Sequence, residues 1–222
     1  MKKTKKELQG AALSHKVQVK KSHYFNTAYD TKQRWSSYWY QIHEVIAQNP
    51  TTVLEIGVGN KTVSDYLKKI GIKVTTCDFD KSLDPDVCAS VLQLPFKNGS
   101  FDVVLCAEVL EHLPFENFQK ALKEIHRVSR SKAVITLPHL SLTHFYFGIK
   151  VVPFVSKIEG MLKIDYPLAR NFDGEHHWEI GEKWYSLTKI IKEIEKSGFK
   201  IQKSFYPQEN PRHQFFSIEK AA

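Results

Sequence analysis

Three acidic residues stand where the ends of buried strands are predicted. Glu55 lies in a first apolar run, Asp78 ends a second run about twenty residues later, and Glu108 follows a third. In open α/β sheets, ligands bind at the carboxyl ends of the strands, so we expect the three carboxylates to line one site. Such a site repels phosphate groups and favours a cationic ligand, and an acid at the second position can hold a ribose diol.

The turn after the first strand, GVGNKT at 57–62, suits a ligand that approaches the backbone closely, because glycine has no side chain to intervene. The P-loop pattern fails, since Leu54 stands where that pattern needs a glycine. The dinucleotide pattern G-x-G-x-x-G fails at its third position, which is Thr62. S-adenosylmethionine fits these requirements, because it is cationic, carries a ribose and has no phosphates.

Lys61 occupies the position where a third glycine is common in such turns. If this position needs a positive φ, a lysine costs about 1 kcal/mol there and brings a cation towards a cationic ligand. Alternatively, Lys61 begins the following helix and its side chain points to solvent. We favour the second interpretation.

Predicted strands and helices alternate along the chain with short connections, which indicates an α/β fold with a Rossmann-like, doubly wound sheet. Seven strands are predicted, at 53–56, 74–77, 87–89, 101–106, 133–137, 199–206 and 214–219. The last two are separated by a polar turn only, which predicts an antiparallel pair at the sheet edge. Helices are predicted over 30–48, capped by Asp30 or Thr31, and over 62–70, 115–128 and 183–197.

The chain resembles class I S-adenosylmethionine-dependent methyltransferases of the type 11-like group. The resemblance rests on three segments, VLEIGVGN at 53–60, VTTCDFD at 74–80 and LQLPFKNGSFDVVLCAEVLEHLPFENFQKALKEIHRVS at 92–129. Their order and spacing form a far more specific signal than the glycine pair alone. GEHHWEIG at 174–181 resembles, more loosely, a subgroup of bacterial methyltransferases associated with surface-sugar clusters.

The resemblance implies S-adenosylmethionine as the methyl donor and S-adenosylhomocysteine as the product. It places Glu55 near the methionine amino group and Asp78 on the ribose hydroxyls. Ser90 stands where an aspartate is common and can still make one hydrogen bond to adenine. The full set of cofactor-binding residues that the resemblance implies is Glu55, Gly57, Gly59, Asn60, Asp78, Phe79, Ser90, Val91, Leu92 and Glu108.

Histidines are the candidate bases, since an oxygen acceptor must lose a proton and the imidazole pKa suits that task. We expect His112, which follows the fourth strand, or His176 to be catalytic, with a structural role as the alternative for each. The full set of candidates is His112, His139, His144, His176 and His177. No metal site is predicted, because adjacent histidines such as His176 and His177 point apart.

Two segments are predicted to cover the acceptor end of the site. The helix over 30–48 is expected to pack on the domain through Trp35, Tyr38, Trp39, Ile42 and Ile46. Residues 139–180 are predicted to be an irregular lid, in which Arg170 and Trp178 could hold a glycosidic acceptor. The apolar stretch Phe145–Leu162 either covers the acceptor or contacts a membrane surface, and we favour the first interpretation.

The positive charge of the chain is concentrated at one end. Residues 1–21 hold seven lysines and one glutamate, which is +6 of the net +8. This predicts a basic flexible tail followed by a single domain over 22–222, and it disfavours nucleic acid as a partner. No secretory signal or membrane-spanning segment is predicted, which favours the cytoplasm. The three cysteines show no disulfide or metal-type spacing.

The leading hypothesis is therefore O- or N-methylation of a small-molecule or sugar-type acceptor. Two alternatives stay open. A non-catalytic domain that binds S-adenosylmethionine or a partner is favoured by Lys61 and Ser90, and a nucleic-acid methyltransferase is favoured by the lysine tail. Against the latter, AEVLEH at 107–112 replaces the Asn-Pro-Pro-aromatic motif used on exocyclic base amines. The sequence does not indicate an oligomeric state.

Overall fold

A computed structural model describes residues 17–141, 143–151, 155–164, 167–169, 172 and 174–221 of the 222-residue chain. It confirms the predicted seven-stranded sheet, whose strand order is β3-β2-β1-β4-β5-β9-β8. Strands β1 to β5 are parallel, and β9 runs antiparallel between β5 and β8. The strands are β1 Thr52–Ile56, β2 Lys73–Asp78, β3 Val87–Cys88, β4 Phe101–Ala107, β5 Ser129–Pro138, β8 Phe199–Phe205 and β9 His213–Lys220.

Helices cover both faces of this sheet, so the central strands are mostly apolar on both sides. On β1 and β4, Leu54 and Val104 belong to the core cluster that includes α4 and α5. Their neighbours Val53 and Val103 belong to the cluster on the opposite face, with α2 and α3. The helices are α1 Lys21–Tyr24, α2 Lys32–Ile46, α3 Thr62–Lys69, α4 Phe118–Val128 and α5 Leu187–Lys196.

Helix α2 begins as predicted but packs through a different face. Thr31 is the N-cap, and its side chain accepts a hydrogen bond from the Arg34 backbone N–H. The predicted packing face is wrong at Trp35 and Trp39, which are 54% and 56% exposed, whereas Tyr38 is buried and Ile42 packs against the core. The buried residues are Ser37, Tyr38, Gln41, Glu44 and Val45.

Hydrogen-bond partners on the sheet edge explain why polar residues of α2 are buried. Glu44 accepts from Lys203 and from the Ser217 hydroxyl, and Ser37 bonds His213 Nδ1 at 3.0 Å. A buried polar side chain is stable only with such partners. These partners lie more than 150 residues away in sequence, so periodicity along the helix could not reveal them.

The predicted irregular segment 139–180 contains a regular hairpin. Strands β6 Thr143–Val151 and β7 Val155–Ile164 form a separate antiparallel two-stranded sheet. The prediction was wrong because apolar residues occupy both faces, which removes the period-2 alternation. Exposed apolar residues of the hairpin are Phe145, Tyr146, Phe147, Ile149, Leu162 and Ile164. A role for this segment as an acceptor lid or a membrane contact stays a prediction. Across the part of the chain that the structure describes, no helix has the length and apolarity to span a bilayer.

The end of the predicted tail lies against the body of the domain. Residues 1–16 fall outside the described residues, but Val17, Gln18 and Val19 line the main cavity. The side chain of Gln18 contacts both the ring and the backbone carbonyl of His112. The predicted boundary between tail and domain, at residue 21, therefore lies too far along the chain. The lysines define the tail by charge, and charge does not show that Val17 and Val19 lie against the domain.

Candidate active site

A cavity of about 680 Å³ lies at the carboxyl ends of β1, β2 and β4. Its lining includes Glu55, Asp78 and Glu108, so the three carboxylates meet as the sequence predicted. Parallel pairing of β1 with both β2 and β4 causes this, because strand ends in register share one edge of the sheet. The volume falls in the range of about 300–1,000 Å³ that small-molecule sites occupy.

The glycine turn closes one wall of the cavity. Gly57 has φ 81°, and its N–H donates to the Cys77 carbonyl. A Cβ at Gly57 would lie 2.2 Å from Val109 Cγ2, which is far inside van der Waals contact. Gly59 also has a positive φ, but a Cβ there would meet Tyr24 at an ordinary 3.5 Å. Glycine is therefore required for space at residue 57 and mainly for conformation at residue 59.

Lys61 adopts the left-handed conformation, with φ 64° and ψ 8°, and precedes α3 as its N-cap. The favoured interpretation was thus wrong about conformation. It was right about direction, because Lys61 Nζ donates to the carbonyl and the carboxylate of Asp84, the latter at 3.0 Å. Lys61 is not among the described residues that line the cavity. The lysine therefore strains the turn without placing its charge against the ligand.

We predict that Lys61→Gln leaves the dissociation constant for S-adenosylmethionine within about threefold of wild type. The reason is that the ammonium pairs with exposed Asp84, where solvent screens it. Isothermal titration calorimetry measures this, with exposed Lys69→Gln as the charge-matched control on the same helix. Binding that tightens tenfold in Lys61→Gln alone would show that the lysine repels the donor.

Asp78 has a structural role in addition to the predicted one. Its Oδ2 accepts from the Val58 N–H at 3.0 Å, and its Oδ1 accepts from the Asp80 N–H at 2.8 Å. The carboxylate thereby holds the glycine turn against the end of β2 while it lines the cavity. Burial raises the pKa of Asp78, although the backbone hydrogen bonds oppose this shift.

Glu55 is a buried acid without a complete set of partners. It is 5% exposed, and its Oε2 has no hydrogen-bond partner among the described residues. Burial raises the pKa of Glu55 to about 8, and a hydrogen bond with Ser64 offsets this only in part. A ligand cation in the cavity would supply the missing partner and favour the carboxylate form.

We predict that the affinity for S-adenosylmethionine rises with pH between about 5.5 and 8 and levels off above 8. Below its pKa of about 8, Glu55 must release a proton before it can pair with the methionine ammonium group. Without ligand the sign is opposite: the raised pKa stabilises the fold at low pH, and this contribution is lost as pH rises from about 4.5 through about 8.

Calorimetry in buffers of different ionisation enthalpy measures the proton released on binding. Glu55→Gln should bind with a flatter pH profile and release fewer protons. An unchanged pH profile in Glu55→Gln would assign the titration to another group.

The predicted adenine end is formed by the residues after β2 and β3. Phe79, Ser90 and Val91 line the cavity. The prediction for Leu92 differs from the structure, because Leu92 is not among the described lining residues and its side chain packs against the core. Its N–H donates to Ser90 Oγ at 3.2 Å, so the short turn that presents Ser90 directs Leu92 away from the cavity.

Glu108 lines the cavity at the end of β4, where the family resemblance predicts the boundary between donor and acceptor. It has φ 54°, a strained conformation for a residue other than glycine, and such strain concentrates at functional sites. Its Oε1 accepts from the Thr136 hydroxyl at 2.9 Å, and its Oε2 lies 3.5 Å from His213 Nε2. Burial lowers the pKa of His213. Lining residues that the sequence analysis did not assign to the site include Tyr24, Tyr29, Arg34 and Asp80.

The two predicted catalytic histidines are brought together, although 64 positions separate them. The rings of His112 and His176 lie 4.9 Å apart between centroids. His112 Nδ1 is 3.0 Å from the Glu175 carbonyl, and His176 Nδ1 is 2.8 Å from Glu179 Oε1. The His177 N–H donates to the Glu111 carbonyl, which fixes the second segment against the first. His112 lines the cavity directly.

Glu111 is the residue of this cluster that the sequence analysis missed. It is fully buried, and neither carboxylate oxygen has a hydrogen-bond partner among the described residues. Its Oε1 lies 4.0 Å from His112 Nε2. Burial first, and Glu108 second, raise the pKa of Glu111 well above its usual value. The 3-10 turn Leu110–His112 directs it inward, and periodicity gives no signal for such a turn.

The remaining residues that were predicted to act on the acceptor lie outside this cluster or outside the described residues. His139 is buried and bonds Gln214 Oε1 at 3.2 Å, whereas His177 lines the cavity and stacks on Phe172. Trp178 is fully buried and donates through Nε1 to the Leu113 carbonyl, so the prediction that it stacks on a sugar is wrong. Arg170 and the His144 side chain lie outside the described residues.

Comparison with known proteins agrees with this geometry. Residues 54–137 match the family described as a methyltransferase domain. Two uncharacterized proteins of Methanocaldococcus jannaschii are 52% identical over 46 residues (21% of this chain) and 25% identical over 162 residues (69% of it). The matches span only 19% and 63% of those two relatives.

Among solved structures, the fold resembles that of Burkholderia thailandensis 1,6-didemethyltoxoflavin-N1-methyltransferase, determined with its substrate and S-adenosylhomocysteine. The TM-score is 0.61 at 14% identity, over 90% of this chain and 85% of that one. Residues 54–137 therefore resemble a methyltransferase domain, and the fold is the one found in methyltransferases crystallised with S-adenosylmethionine or S-adenosylhomocysteine.

Proposed function

We propose that this protein transfers the methyl group of S-adenosylmethionine to an oxygen or nitrogen atom of a small, polar acceptor. The observation that supports this best is a single cavity that holds both sets of groups the reaction needs. Glu55, Gly57 and Asp78 form its donor end, and Glu108 and His112 form its other end. A domain that only bound the donor would not need a polar second compartment.

The donor residues keep the roles that the family resemblance implies. Glu55, Gly57, Gly59 and Asn60 face the methionine half, and Asp78 faces the ribose. Phe79, Ser90 and Val91 border the adenine. All of these residues line the cavity. The donor brings its own leaving group, so the protein contributes alignment of the methyl group with an acceptor lone pair.

At the acceptor end, His112 receives the proton when the acceptor atom is a hydroxyl oxygen. Its Nδ1 is held against the Glu175 carbonyl and therefore carries the N–H, which leaves the lone pair on Nε2. In the transfer, the S–CH3 bond breaks, an O–CH3 bond forms and S-adenosylhomocysteine leaves. His176 is the second candidate for this role, oriented by Glu179.

Polar and aromatic side chains that line the same cavity as His112 indicate the chemistry of the acceptor. They include Tyr29, Arg34, Tyr38, Phe172 and His177. Such a surface suits a compact acceptor with several hydroxyl groups and an apolar face, and a saccharide is one member of that class. The resemblance of 174–181 to methyltransferases of surface-sugar clusters supports the same choice.

The test is release of S-adenosylhomocysteine during incubation with a panel of hydroxylated and amine-bearing small molecules, including monosaccharides and phenols. His112→Gln should lower kcat by 100-fold or more on an oxygen acceptor and leave donor affinity within about threefold. Tight donor binding without transfer to any acceptor class would instead favour the non-catalytic alternative.

A further inference from the structure

We propose that Glu111, His112 and His176 form a binding site for one divalent first-row transition-metal ion at the wall of the cavity. One ligand atom from each of these residues lies within 4.8 Å of the other two. Two imidazoles and one carboxylate are the ligand set of many zinc and non-haem iron sites.

The buried carboxylate of Glu111 is the first argument for an ion. Both oxygens lack a hydrogen-bond partner among the described residues, although the side chain is fully buried. An unpaired buried carboxylate is costly, and coordination to a cation is one of the few arrangements that remove this cost. Among the charged neighbours of Glu111, the two acids Glu108 and Glu179 outweigh Arg34, which acts in the opposite sense.

The hydrogen bonds of the two histidines are the second argument. His112 Nδ1 faces two oxygen acceptors, the Glu175 carbonyl and Gln18 Oε1, each at 3.0 Å. His176 Nδ1 lies 2.8 Å from Glu179 Oε1. A neutral imidazole that donates through Nδ1 carries its lone pair on Nε2, and metal-binding histidines are oriented by this kind of hydrogen bond. Both rings therefore have the tautomer that a metal ion requires.

The three ligand atoms must move slightly closer together to bind one ion. Ligands bound at about 2.0–2.2 Å lie about 3–4 Å from one another. Glu111 Oε1 and His112 Nε2 are 4.0 Å apart, and the widest separation in the cluster is within 4.8 Å. The side chains of His112 and His176 are each 23% exposed, so neither is enclosed as completely as Glu111. The adjacent histidines point apart as predicted, since His176 bonds Glu179 and His177 stacks on Phe172. The proposed site therefore combines His176 with Glu111 and His112 from another segment, and does not include His177.

The catalytic consequence rests on the proposed function. Three protein ligands leave at least one coordination position, and His112 opens onto the cavity. An acceptor hydroxyl bound there loses its proton to water more readily, because the ion stabilises the alkoxide. The oxygen then attacks the methyl group, the S–CH3 bond breaks and the O–CH3 bond forms. The acceptor class narrows to hydroxyl-bearing molecules, and the histidines act as ligands in place of a base.

Metal binding is tested without donor or acceptor. Untagged protein, treated with chelator and dialysed, is titrated with Co²⁺, followed by visible absorption and calorimetry, and then with competing Zn²⁺. We expect one equivalent of Co²⁺ with ligand-field bands, and a rise in Tm with Zn²⁺. Glu111→Gln and His176→Gln should each weaken binding at least tenfold, while exposed His43→Gln should not change it. Glu179→Gln should weaken binding about tenfold, because it only orients His176.

Circular dichroism establishes that each variant is folded. Wild type without Co²⁺ bands and without a Tm shift would overturn the site, as would Glu111→Gln and His176→Gln that both bind like wild type. The result separates the two proposals. Methyl transfer by a protein that binds no metal leaves the proposed function intact with His112 as base. Metal binding without transfer to any acceptor leaves the metal site intact and contradicts the proposed function.

Discussion

Gly57→Ala is expected to lower the free energy of unfolding by about 3 kcal/mol and to abolish measurable binding of S-adenosylmethionine. Two costs add up at this residue. The left-handed backbone at φ 81° costs an alanine about 1–2 kcal/mol, and a Cβ placed 2.2 Å from Val109 Cγ2 adds about 1–3 kcal/mol. Because relief of the overlap must move the turn or Val109, the wall of the donor site changes shape.

Gly71→Ala separates the two costs. Gly71 has φ 94°, yet nothing lies within 4 Å of its added Cβ. This control should lose about 1 kcal/mol of stability, with unchanged donor affinity. Chemical denaturation gives the stabilities and calorimetry gives the affinities.

A double variant tests the overlap itself. Val109→Ala removes the methyl group that the new Cβ meets, so Gly57→Ala/Val109→Ala should recover about 1–2 kcal/mol relative to additivity. Strictly additive losses would mean that conformation alone requires glycine at this position.

Local patterns along the chain were sufficient to predict the sheet and the cavity in which Glu55, Asp78 and Glu108 meet. The strands β1 and β4 are buried on both faces, so Val103–Cys106 is apolar throughout and Glu55 is the one acid within the apolar run of β1. The carboxylates at strand ends could then be placed together, because parallel topology brings strand ends to one edge. Gly57 and Asp78 required only this reasoning and the family resemblance.

The acceptor end could not be predicted in the same way, because its contacts join distant segments. His112 and His176 meet only because residues 174–181 return to the end of β4, where the His177 N–H donates to the Glu111 carbonyl. No sequence pattern distinguishes Glu111 from an ordinary helix or loop residue. The 3-10 turn at Leu110–His112 directs its side chain into the interior. Tertiary hydrogen bonds decided these positions, and sequence periodicity does not record them.

At Lys61, the predicted cost of a left-handed backbone applies, although the favoured prediction was that this residue begins the helix. The sequence allows a positive φ at Lys61 or a helix start, and the helix start is the favoured prediction because side chains at a helix N-terminus can turn outward. Asp84, itself at φ 55°, provides the oxygens that hold the side chain away from the cavity. The direction of the Lys61 side chain is therefore determined by a residue 23 positions away in the sequence.

Asp78→Ala is expected to raise the dissociation constant for S-adenosylmethionine at least 100-fold, or about 3 kcal/mol. The substitution removes the acceptor of the Val58 and Asp80 N–H groups as well as the proposed acceptor of the ribose hydroxyls. Hydrogen bonds to a charged group are worth about 1.5–3 kcal/mol each, so loss of the ribose contacts alone approaches the expected value. Asp78→Asn, which keeps one acceptor oxygen, should lose about tenfold.

Asp86→Ala distinguishes binding from support of the backbone. Asp86 Oδ2 accepts from the Thr76 N–H and hydroxyl, each at 2.8 Å, so it holds the same strand β2 in a similar way. It is exposed and is not among the described residues that line the cavity. Both alanine variants should therefore lose about 1–2 kcal/mol of stability, and only Asp78→Ala should lose donor affinity. Equal losses of affinity in the two variants would show that Asp78 acts through the fold of β2, and the ribose would need another partner.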